Sequence, residues 1–147
     1  MVEHDDILSD AEREALALVS APPPQLPLVL VVDDDILSRR ALAWYLNRKG
    51  IRCISASSAL AALRALRREP RIGMMITDLR MGPVDGLELI KQIRSSVRAD
   101  LPIVVVSGES QVPEAVKAMH LGVLDFMVKP PDLDKLLRLV RKELRIE

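Results

Sequence analysis

Aromatic residues are nearly missing from this chain: Trp44, Tyr45 and Phe126 are the only three in 147 residues. The core must therefore be aliphatic, and there is no series of rings on which nucleic-acid bases would stack. One cysteine, Cys53, excludes an intramolecular disulfide and any metal centre built on a cysteine cluster. No apolar run reaches the ~20 residues of a membrane span, and no signal-peptide core is present. A reducing, cytoplasmic setting is the expectation. Charge of either sign is not in excess, with 21 bases against 21 acids.

The balance hides an asymmetry. Residues 1–25 carry six acids and one base, and the remainder carries fifteen acids and twenty bases. That basic excess is too small to argue direct nucleic-acid binding. The densest basic cluster, Arg64, Arg67, Arg68 and Arg71, falls around a predicted helix end, where cations suit the helix dipole. The same reading covers His120 at another helix end. Ser9 and Glu12 fit a capping box, and DAEREALALV reads as a short helix. The three prolines of APPPQLP make a stiff, extended spacer. The spacing predicts two parts: an acidic helix and linker over 1–25, and a folded domain over 26–147.

From Leu26 onward, apolar runs alternate with helical patterns. Strands are expected at Leu28–Val32, Ile51–Ser55, Ile72–Thr77, Ile103–Val106 and Val123–Val128. Helices are expected at Ile36–Lys49, Ser58–Arg68, Val84–Val97 and Val112–His120. A last helix carries the stripe Leu133, Leu136, Leu137, Val140 and Leu144. Gly50 and Gly122 suit helix ends that need a positive φ. Five βα units predict one parallel sheet with helices on both faces. The second run alternates apolar and polar, so it belongs at an edge. The first, third and fourth are continuously apolar, as buried parallel strands are. The flavodoxin-like order 2-1-3-4-5 satisfies this, in a doubly wound α/β fold.

Four polar positions stand where apolar runs end: Asp33 with Asp34, Asp78, Ser107 and Lys129. In such a sheet the ligand crevice lies beyond the carboxyl ends of the strands. Three carboxylates there repel one another, and a hard divalent cation such as Mg²⁺ would relieve them. Asp78 is a competent phosphoryl acceptor, with Asp33 and Asp34 as metal ligands. Lys129 would balance phosphoryl charge and Ser107 would donate a hydroxyl to a phosphoryl oxygen, Gly108 leaving room. Taken singly, Asp33–Asp35 read as helix caps and Asp78 as a turn residue. The four together read as a phosphoryl site.

This set resembles the receiver domain of bacterial two-component response regulators over residues 26–147. VVDDD is similar to the family's acidic pair, implying Mg²⁺ at Asp33 and Asp34. TDLRMGPVDG is similar to its acceptor segment, implying phosphorylation of Asp78 and a metal-ligating main-chain carbonyl at Arg80. SG and FMVKP imply a switch pair, Ser107 and Phe126, the invariant Lys129, and a cis Lys129-Pro130 peptide. The resemblance implies a regulatory phosphoacceptor that assists its own phosphotransfer and dephosphorylation. Its donor would be a sensor histidine kinase or histidine phosphotransfer protein. Its output would be an effector protein bound at the fourth helix, fifth strand and fifth helix, a surface that also suits a homodimer. Neither direct nucleic-acid contact nor membrane insertion is implied.

The chain departs from the family pattern in two places. Pro83 falls one position late in Met81-Gly82-Pro83-Val84-Asp85-Gly86. Phe126 replaces the commoner tyrosine. The resemblance also implies that Arg80 and Glu109 flank the path of attacking water, where a salt bridge between them would slow loss of the phosphoryl group. Two other readings stay open: a phosphatase of the haloacid dehalogenase type, with Asp33 as nucleophile and Asp35 beside it, and a pseudo-receiver that is never phosphorylated. The chain reads as a stand-alone receiver or as one excised from a longer protein.

Overall fold

The computed structural model describes residues 9–12 and 26–147. At the start, residues 10–12 are helical. The Glu12 N–H donates to Ser9 Oγ at 3.1 Å, and the Ser9 hydroxyl lies 3.1 Å from Glu12 Oε1. The capping residues thus meet as expected, while the rest of the predicted helix and the proline spacer lie outside the described residues.

The sheet is wholly parallel, in the order β2-β1-β3-β4-β5. Its strands are β1 (Leu28–Val32), β2 (Cys53–Ala56), β3 (Ile72–Thr77), β4 (Ile103–Ser107) and β5 (Asp125–Val128). The helices are α1 (Ile36–Arg48), α2 (Ala59–Arg68), α3 (Gly86–Arg94), α4 (Ala115–His120) and α5 (Leu133–Leu144). Strand alternation divides the aliphatic core in two. Leu28, Leu30 and Val32 pack with α2 and α3, whereas Val29 and Val31 pack with α1 and α5. Each inner strand is apolar on both faces because each face has its own helical layer.

Side-chain caps start four helices. Asp35, Ser58, Asp85 and Asp132 each accept the N–H three residues on, at 2.9–3.1 Å. This corrects two expected boundaries. The third helix begins at Gly86, not Val84, because Asp85 is its cap, and Ser95 closes it, leaving Val97 fully exposed. The fourth is α-helical only from Ala115. Residues Glu109–Glu114 form a 3₁₀ turn holding Pro113, with no side-chain cap. Gly50 and Gly122 take positive φ (83° and 76°) at the ends of α1 and α4, as expected. Of the adjacent aromatics on α1, Tyr45 packs on the core and Trp44 is 63% exposed.

Candidate functional site

The carboxyl ends of β1, β3, β4 and β5 deliver Asp33, Asp78, Ser107 and Lys129 to one place. Asp33 and Asp78 follow β1 and β3 and are buried. Lys129 Nζ donates to Asp33 Oδ2 at 2.7 Å and to Asp78 Oδ2 at 2.8 Å. One ammonium thus bridges residues 96 and 51 positions away. The Lys129 N–H also donates to Ser107 O at 2.8 Å, which anchors the lysine to the end of β4. Its peptide bond to Pro130 is cis, as the resemblance implied; Gly82-Pro83 is cis as well.

The other Asp78 oxygen is equally engaged. Oδ1 accepts the Ser107 hydroxyl and the Arg80 N–H, the latter at 3.0 Å. Ser107 is fully buried, and its oxygen accepts the Leu79 N–H at 3.4 Å. Burial pushes the Asp78 carboxyl up, but the bonds from Lys129, Ser107 and Arg80 outweigh it and hold the group below the ordinary aspartate range. Burial likewise pulls Lys129 down, yet Asp33 and Asp78 more than compensate, so its ammonium is held above the ordinary lysine range. Asp78 and Lys129 are thus held as a charged, hydrogen-bonded pair.

Local structure separates the three consecutive aspartates. The Asp35 carboxylate accepts the Ser38 N–H and hydroxyl at 3.0 and 2.7 Å, so it caps α1. The Asp33 Oδ1 accepts the Asp35 N–H at 2.9 Å, and the Asp33 carbonyl accepts Arg39 Nη1 at 2.8 Å. Asp34 is exposed and lines a different hollow, of about 480 Å³, with Arg80, Asp85 and Glu114. A mainly apolar cavity of about 440 Å³ adjoins the acid pair between α1 and the start of α5.

The predicted metal ligands are therefore neighbours without being gathered. Among the described residues, no three of His, Cys, Asp and Glu share a point suited to an ion. The Lys129 ammonium lies between Asp33 and Asp78. The donor chemistry still fits a hard divalent cation, since Asp33, Asp34, Asp78 and the Arg80 carbonyl offer oxygen alone. The acid pair already accepts a cation, in the form of Lys129. Arg80 and Glu109 are both exposed and no ion pair joins them. Phe126 is half-buried and packs against the α2–α3 side of the core, with Val105 as its partner on β4.

Two residues that shape the fold around α3 were not singled out beforehand. Gly86 opens α3 directly against the Asp78–Leu79 backbone. A Cβ there would lie 2.2 Å from the Asp78 carbonyl oxygen and 2.7 Å from Leu79 Cα, so no larger residue fits without backbone movement. Arg94, on α3, donates to the carbonyls of Leu121, Ala99, Leu101 and Gly122 at 2.6–3.2 Å. The Asp-Gly pair was a visible signal for the first. Nothing in the local sequence marks the second.

Comparison with known proteins identifies the family. The family model for the response regulator receiver domain matches residues 29–141. The transcriptional regulatory protein FixJ of Azorhizobium caulinodans is 39% identical over 122 residues, covering 83% of this chain and 56% of that protein. The C4-dicarboxylate transport regulatory protein DctD of Pseudomonas aeruginosa is 36% identical, covering 80% of this chain and 25% of that protein. The chain thus spans about a quarter to just over half of these relatives. The crystal structure of a response regulator receiver protein from Pseudomonas putida superposes with a TM-score of 0.78 at 56% identity. It covers 81% of this chain and 98% of that one.

Proposed function

The chain belongs to the response regulator receiver domain family, and from that premise we propose that Asp78 is the residue that carries its phosphoryl group. A receiver is a regulatory, phosphorylation-dependent signalling switch. One observation carries the assignment: Asp78 is buried at the crevice edge with Lys129 on one oxygen and the Ser107 hydroxyl on the other. An Asp78 oxygen attacks the donor's phosphorus as the bond from phosphorus to its leaving group breaks. Lys129 stays charged and balances the oxygens of the acyl phosphate. The Ser107 hydroxyl, released from Oδ1, donates to a phosphoryl oxygen.

Asp33, Asp34, Asp78 and the Arg80 carbonyl would hold Mg²⁺. When bound, it would supply charge neutralisation at the acceptor and phosphoryl oxygens. The movement of Ser107 leaves space into which Phe126 turns, which changes the surface of α4, β5 and α5. That surface exposes Val112, Val116, Met119, Leu124 and Val128, an apolar patch suited to an effector protein or a second copy. The donor is a sensor histidine kinase or a phosphotransfer protein, the setting cytoplasmic, and contact with nucleic acid indirect. Among the described residues no helix is long and apolar enough to cross a membrane. The phosphatase reading loses its second acid, because Asp35 caps α1.

Incubation with acetyl phosphate or phosphoramidate and Mg²⁺, read by intact mass, tests the assignment. A single phosphate adduct is expected in the wild type and none in Asp78→Asn. An adduct kept in Asp78→Asn but lost in Asp33→Asn would overturn it in favour of phosphatase chemistry. After donor removal, the same time course reads self-catalysed hydrolysis. Arg80 and Glu109 are proposed to pair across the phosphorylated site and slow it, so Arg80→Ala should lose the adduct faster. An unchanged decay would dismiss that pair.

A further inference from the structure

Between Ile36 and Arg68 the chain carries eight bases and not one acid. The fold wraps this stretch, α1, β2 and α2, around one edge of the sheet. Seven of the eight are exposed, and Arg39 is half-buried. Among the described residues, none of them lies within ion-pair distance of a carboxylate. Arg48 and Lys49 lie over the rings of Trp44 and Tyr45, at 5.2 and 5.7 Å from their centroids. Exposed apolar side chains stand among the charges: Leu37 (76%), Trp44 (63%) and Leu60 (53%). A single-sign face with apolar anchors is complementary to an acidic segment that carries apolar residues of its own.

We propose that this face is the docking site of the chain's own acidic N-terminal segment, residues 1–20. That segment holds six acids and one base. Its sequence sets Ala11, Ala15 and Leu18 at helical spacing, with Glu12 and Glu14 beside them. The tether also favours it. β1 and β2 are parallel, with Val29 opposite Cys53, so the chain enters β1 at the sheet end where α1 finishes and Arg52 leads into β2. The five residues of APPPQ, if extended, reach roughly 15 Å, and α1 is about 20 Å long. Tethering gives an effective concentration on the order of millimolar, enough to populate a weak association.

Residues 9–12 are exposed, and among the described residues no ion pair joins Asp10 or Glu12 to these bases. Two copies of the face would repel each other. A nucleic acid would meet the exposed Asp34 and Asp35 at the head of α1 and leave Leu37 and Leu60 without partners. Docking itself does not depend on the role of Asp78. Its consequence does: α1 begins at the phosphoryl site, so the docked segment would hinder a protein donor and leave a small-molecule donor unaffected.

Trp44, the only tryptophan, reports on the face in the full-length chain. Acrylamide quenching of its fluorescence should rise at least about twofold between about 20 mM and about 0.5 M salt, as screening releases the segment. A charge-reversed chain, Asp10→Lys with Glu12→Lys and Glu14→Lys, should show the high value already at low salt. Shielding should not vary with protein concentration. Equal quenching of both chains at low salt overturns the proposal. Shielding that grows with concentration overturns it in favour of a second copy. Shielding that needs added RNA or anionic vesicles overturns it in favour of those partners. None of these readings uses phosphorylation, so they fail or succeed separately from the assignment of Asp78.

Discussion

Cys53 lies half-buried on the edge strand β2, where burial pushes its thiol up to about 12 from a reference of 9.0. The folded chain holds this proton more tightly than the unfolded chain. The associated stability is whole below about pH 9 and is lost as pH rises toward 12. Iodoacetamide at pH 9 should therefore alkylate the native protein at least about a hundredfold more slowly than the urea-unfolded protein. Equal rates would show the thiol to be free. The acidic site repeats the lesson with opposite sign, since Asp78 is buried yet held ionised by the donors around it. Which of three neighbouring aspartates takes which task was only partly legible. A cap at Asp35 is local chemistry that sequence spacing carries, whereas the burial of Asp33 and the exposure of Asp34 follow from how β1 meets the sheet.

At the scale of elements, strands were read more accurately than helices. Buried parallel strands are marked by unbroken aliphatic runs, and their ends fall where polarity returns. The third and fourth helices were read too long, because periodicity does not show where a side chain such as Asp85 takes over the first N–H groups. The fourth helix is the least secured: its 3₁₀ entry has no side-chain cap and no buried residue. Arg94 holds the far end of that element and the turn after α3 through four carbonyls. Arg94→Ala should lower stability by about 2–4 kcal/mol in urea unfolding. Arg94→Lys should recover less than half, since one ammonium cannot span the acceptors. A loss below about 0.5 kcal/mol for the alanine variant would remove the clamp from the account.

For the whole molecule, the question is whether the signal leaves through α4, β5 and α5. Ser107 on β4 bonds Asp78, and the Lys129 N–H bonds the Ser107 carbonyl, so β4 and β5 are tied to the same site. Treatment with phosphoramidate and Mg²⁺ should change amide hydrogen exchange over residues 109–128. In Ser107→Ala the adduct should still form while that change falls by at least about half, because the released hydroxyl is what moves. An undiminished change would place the switch elsewhere in the fold.

The sequence by itself determined the alternation of strands and helices, the edge place of β2 and the four strand-end residues. All of these rest on short-range periodicity and on what a parallel sheet must bury. Only the tertiary structure decided that Lys129 stands between Asp33 and Asp78 and that Asp34 faces another hollow. Those facts depend on the reach of side chains across strands dozens of residues apart, and no local pattern records that reach.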